Sequence, residues 1–166
     1  YYEKSIKLNK EYAEALNMAS RDDTERGEHL PARERTEKAL AVAEAAPDRD
    51  DALIGLLLIN LSRKQESLGE FEAADATYQR AETQVRKSVG ERHSTFWIAR
   101  AYHARLLHRR GQRERANTLF DQMLQMIPQD WKTNTYDIWA REVYAECIAA
   151  EGRAREAIPL LEAAYH

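Results

Sequence analysis

The stretch Leu68-Gly-Glu-Phe-Glu-Ala-Ala-Asp-Ala-Thr-Tyr-Gln-Arg-Ala81 (LGEFEAADATYQRA) decides how the chain is read. Counting from Gly69, Ala74 stands at +5, Tyr78 at +9 and Ala81 at +12. A helix that needed only an apolar face would accept larger side chains at both alanines, so their smallness asks for a reason. The same spacing recurs elsewhere. Gly27 is followed by Ala32, Thr36 and Ala39, Gly111 by Ala116, Phe120 and Met123, and Gly152 by Ala157, Leu161 and Ala164. Successive glycines lie 42, 42 and 41 residues apart, the mark of an internal repeat.

Such a pattern describes a helical hairpin. Glycine follows the first helix, where a left-handed backbone costs it little. The residue at +5 sits where the second helix crosses closely over the first, and a larger side chain would push the pair apart. The residue at +9 fills the gap one turn along, and that at +12 marks the approach to the following hairpin. Helices are expected near 1-9, 12-26, 30-46, 51-68, 71-88, 94-110, 113-127, 137-151 and 153-165. Residues 46–50, 89–93 and 128–131 read as loops between hairpins. Pro31 suits a first helical turn and Pro128 lies just past a helix end. Pro159 predicts a bend or a late start in the last helix.

These residues resemble the tetratricopeptide repeat family. The family's second-helix order is followed by Gly111, Ala116, Phe120 and Pro128, with Met123 in place of an alanine. The segment Glu11-Tyr12-Ala13-Glu14-Ala15-Leu16 is similar to the usual start of a repeat. Tyr2 and Ser5 resemble the end of a preceding one. Copies of about 42 residues with long loops look closer to the kinesin-light-chain type than to the standard repeat of roughly 34. Departures are Thr36 in an aromatic slot, and His29 and Arg113 where Phe71 stands. The resemblance implies an all-α fold, a right-handed superhelical α-solenoid of antiparallel helix hairpins. It covers 1-166 as a single repeat domain, with hairpins near 12-46, 51-88, 94-127 and 137-165 after a lone helix 1-9. Starting and stopping within second helices, the chain reads as an excerpt of a longer one.

Composition agrees. Hydrophobic residues make up 43% and charged residues 32% of 166, with 6 Gly and 4 Pro, as in a helix-rich globular protein. A net charge of -3 leaves no overall basic field for nucleic acid or anionic lipid. Residues 92–115 carry seven arginines against Glu114, which reads as a solvated helix face plus a hairpin tip rather than a nucleic-acid site. Cys147 is the single cysteine, so no internal disulfide forms and a reducing, cytoplasmic setting fits. The longest apolar run, Ala52 to Leu61, is well short of the roughly 18 residues of a membrane span. It reads instead as a helix sandwiched between neighbours.

No catalytic constellation stands out, and neither a cofactor nor a metal is expected. His103 and His108 are five apart and do not share a helical face. The segment Asp48-Arg49-Asp50-Asp51 reads as an acidic helix start and lacks calcium-loop spacing. One column carries more meaning. In the family, first helices line the concave side, and Arg21, Arg63 and Arg105 take the same slot in three copies, with Glu146 in the fourth. Asn17, Asn60, Tyr102, Arg109, Trp139 and Glu142 lie near them on the same helices. Guanidinium groups along a groove suit carboxylates. The expected function is therefore a non-catalytic scaffold or adaptor holding a partner's peptide or helix, with an acidic segment as the natural ligand and Asn60 on its backbone. A solvated face, or local pairing with Asp22, Asp23 or Glu66, is the competing reading of the arginines. As the alternative, the resemblance to bacterial repeat regions permits a sensing or docking region of a larger signalling protein, such as a serine/threonine kinase or transcriptional regulator. It could also self-associate through uncapped ends.

Overall fold

Gly69 shows how each hairpin turns. Its φ is +77°, a left-handed conformation that side-chain-bearing residues rarely adopt. There the Gly69 N–H donates to the Glu66 carbonyl at 3.1 Å and the Glu70 N–H to the Gln65 carbonyl at 2.9 Å. These two bonds are a Schellman motif, which satisfies carbonyls left open at a helix end. Matching pairs of bonds close the turns at Gly27, Gly111 and Gly152, whose φ angles are +77°, +74° and +80°. The glycine spacing found in the sequence is thus a spacing of helix ends.

The computed structural model describes residues 2–126 and 135–165. Among them run α1 (Tyr2–Glu25), α2 (His29–Ala45), α3 (Asp51–Ser67), α4 (Phe71–Val89), α5 (Ser94–Arg109), α6 (Arg113–Met126), α7 (Thr135–Ala150) and α8 (Ala154–Tyr165). The expected lone helix 1-9 is corrected: α1 is continuous, because neither glycine nor proline stands between Asn9 and Tyr12 to end it. Pro159 lies inside α8, which begins at Ala154 rather than late. The loop expected at 128–131 lies outside the described residues.

The described residues form two compact units that divide between Ser88 and Val89. In the first, Ala32 and Ala74 are fully buried at the crossings of their hairpins, as Ala116 is in the second, with Ala157 nearly so. Ala32 meets Ser20, twelve positions earlier, and the residues at the same offset from the other three, Ser62, Ala104 and Ala145, are buried as well. Two small residues at one crossing let the helix backbones approach. Thr36, in the slot that usually holds an aromatic, is buried without loss. Its hydroxyl lies 2.7 Å from that of Ser20, and both reach the Ala32 carbonyl, at 2.9 and 2.8 Å.

In the first unit, α3 is apolar nearly all round, and Ile54, Leu57, Leu58, Ile59 and Leu61 are buried. Leu56 is the exception at 42% exposure. Gly55 meets α4 so closely that a Cβ there would lie 2.6 Å from a γ-methyl of Val85. Asp50 caps α3 by accepting from the Leu53 N–H at 3.0 Å, and Lys10 pairs with it at 2.7 Å. The Lys10 hydrogen bond, then that of Leu53, holds the Asp50 carboxyl below its usual range.

In the second unit, the Phe120 ring stacks on Tyr144 of α7 at 4.4 Å, with 12° between the planes. The slot at +9 is therefore filled against the next hairpin's first helix. Burial, with Asp121 beside it, pushes the Tyr144 phenol up to about 12. Leu161, in the same slot on α8, is 38% exposed.

Candidate functional site

In the first unit, α1 and α3 carry the expected polar residues. One N–H of the Asn60 amide is engaged within the unit: its Nδ2 donates to the Asn17 Oδ1 at 3.0 Å. Arg21 and Arg63 are exposed. Asp23, one candidate local partner for them, is buried and taken by Arg26 and Arg35. Beside Arg63, Lys64 is only 6% exposed. Its burial, then the charges of Arg63 and Arg21, hold this ammonium below the usual lysine range.

In the second unit, Tyr102 and Arg105 of α5 meet Trp139 of α7. The two rings are 5.1 Å apart and edge-on at 65°, and the Arg105 guanidinium lies 4.8 Å over the Tyr102 ring. Cation–π contact of this kind orients the guanidinium. All three side chains are half-buried, as is Glu142, whereas Arg109 and Glu146 are exposed. At the hairpin turns, the Glu151 carboxylate meets His108 at 2.9 Å, Arg113 at 3.1 Å and Arg153 at 2.9 Å. Arg153 contributes most to holding that carboxyl low.

Two further histidines have a local role or are buried. His93 caps α5, accepting from the Thr95 N–H at 3.2 Å, and His103 is buried. Among the described residues no three His, Cys, Asp or Glu side chains gather as metal ligands, and no helix is long and apolar enough to cross a membrane.

No family model matches the chain, and no curated relative does. Solved structures do. BtubC (BKLC) from P. vanneervenii superposes with a TM-score of 0.73 at 13% identity, over 97% of this chain and 72% of that one. A kinesin light chain-like protein of Podosopora anserina, with nearly identical TPR-like repeats, gives 0.70 at 17% identity, over 98% of this chain and 81% of that one. The fold is TPR-like.

Within this TPR-like frame, the sequence spacing singles out the arginines and not Lys64. Lys64 stands in the polar run Ser62 to Ser67, where nothing in the sequence marks it as buried. The Glu151 network was missed because its members come from two hairpin turns distant in sequence.

Cys147 is buried, and burial pushes its thiol up to about 11, well clear of the nucleophilic range. A thiol-specific disulfide reagent at pH 8 is expected to label Cys147 at least about a hundredfold faster in denaturant than in the native chain. Equal rates would show an open thiol and contradict the packing of α7.

Proposed function

We propose that this chain is a non-catalytic protein-interaction module that holds a peptide segment of a partner, with acidic side chains as the favoured contact. The observation that carries the reading is the Tyr102–Arg105–Trp139 group of the second unit, with its stacked guanidinium and edge-on rings. Tyr, Trp and Arg are the residue types that most often anchor interfaces. A ring-held guanidinium is oriented to meet a carboxylate through two parallel bonds. In the first unit the exposed Arg21 and Arg63 supply charge of the same sign. The buried, raised Cys147 thiol gives no support to a nucleophilic enzyme. A lone reduced thiol suits a cytoplasmic setting.

The test uses immobilised peptides, acidic and basic, of matched length and aromatic content. Acidic peptides are expected to be retained. Arg105→Glu is expected to weaken capture by about tenfold or more, and Arg63→Glu to do so independently if the first unit also contacts the ligand. Equal retention of basic peptides, or Arg105→Glu binding like the parent, would reject the reading. A weakened Arg105→Glu variant must also melt at the parent temperature, so that lost folding is not mistaken for lost binding.

A further inference from the structure

The Asn17–Asn60 hydrogen bond, 3.0 Å long, holds α1 and α3 side by side in the first unit. Each is the first helix of its hairpin, so the two run in the same direction. Arg21 and Lys64 stand four residues beyond the two asparagines. The next turn of the pair therefore brings two cations together rather than a second amide pair. Arg63 adjoins them.

Lys64 is 6% exposed, and among the described residues no carboxylate bonds to Lys64 or Arg21. Most of the Lys64 side chain lies out of water and its charge stands beside two other cations, which is a standing cost. Its depressed proton affinity, with burial as the first cause and Arg63 and Arg21 next, is the expression of that cost. An anion arriving from outside removes it.

Charge decides which anion. A single carboxylate would neutralise only half of the Arg21–Lys64 pair. A phosphoryl group carries about -1.5 to -2 near neutral pH and offers three acceptor oxygens. Arginine meets such a group with a planar fork and lysine with a point charge. We propose that Arg21 and Lys64, beside Arg63, form a binding site for a phosphoryl dianion on the first unit. The inference deepens the peptide reading, and rests on it only for the source of the phosphoryl group.

The experiment follows thermal unfolding of the full chain in inorganic phosphate and in acetate at matched ionic strength. Phosphate stabilises most proteins a little by exclusion from their surface, so Lys64→Met is the internal reference. Phosphate is expected to raise the parent's melting temperature more than that of Lys64→Met, with an apparent affinity about tenfold or more weaker in the variant. Without phosphate, Lys64→Met is expected to melt higher than the parent, since a charge held beside two other cations has gone. Equal phosphate responses overturn the site. Acetate as effective as phosphate overturns the phosphoryl assignment and leaves the acidic-peptide reading standing. If Lys64→Met fails to fold, Arg21→Gln at an exposed position replaces it, with the same expected loss and the same overturning result. A phosphoserine peptide and its unphosphorylated twin then separate the sources. Tighter capture of the first through Lys64 assigns the site to partner proteins. Phosphate binding with no peptide preference assigns it to the free ion and counts against the peptide reading alone.

Discussion

Phe120→Ala will destabilise the protein by about 3–5 kcal/mol, whereas Leu161→Ala, the same repeat position in the last copy, will change stability by less than about 0.5 kcal/mol. Phe120 is fully buried and stacked on Tyr144 at 4.4 Å. Truncation removes both the apolar area and the ring contact, and it leaves a space that two helices cannot close without losing their other contacts. Leu161 is 38% exposed and leaves no comparable void. Denaturant unfolding followed by circular dichroism checks the pair, with the midpoint expected to fall for Phe120→Ala alone. Similar losses at both positions would mean that the repeat slot, and not its surroundings, sets the energy. That outcome would break the packing account given for α6 and α7.

Leu58→Ala is expected to cost about 2–5 kcal/mol. Leu58 is wholly buried in α3, where neighbouring leucines and isoleucines occupy nearly every face of the helix. Few polar groups could reach in to rehydrate the space. Leu56, two residues away and 42% exposed, provides the contrast on the same helix, and its truncation should stay near the surface value of about 0.5 kcal/mol. A loss below about 1 kcal/mol at Leu58 would show that α3 is loosely held. Thermal melts of the two variants side by side suffice.

The hairpins were legible because their signal is local and repeated. Gly69 and its three equivalents need a particular backbone, and Ala74 and its equivalents need the absence of a side chain. Both demands fall on residue type directly. The continuity of α1 was not legible, because resemblance to a preceding repeat suggested a break that no residue between Asn9 and Tyr12 enforces. Thr36 counted as a departure in sequence, yet with Ser20 opposite it is a satisfied buried hydroxyl. That pairing needs two helices in view. At the candidate site, periodicity located Arg21, Arg63 and Arg105. Which of their neighbours are buried depends on side-chain direction, which a spacing rule does not contain. Lys64 and the Asn17–Asn60 bond were hidden for that reason.

The hydroxyl contact in the first hairpin carries a consequence for how α1 and α2 find their alignment. An alanine meeting an alanine tolerates sliding, because smooth small surfaces offer little preference between neighbouring offsets. Ser20 and Thr36 share the Ala32 carbonyl at 2.8 and 2.9 Å, and a displacement of one turn would strand Ser20 away from its partners in a dry interior. The first hairpin is thereby keyed to one offset by polarity, whereas α6 meets α7 through the bulk of a ring.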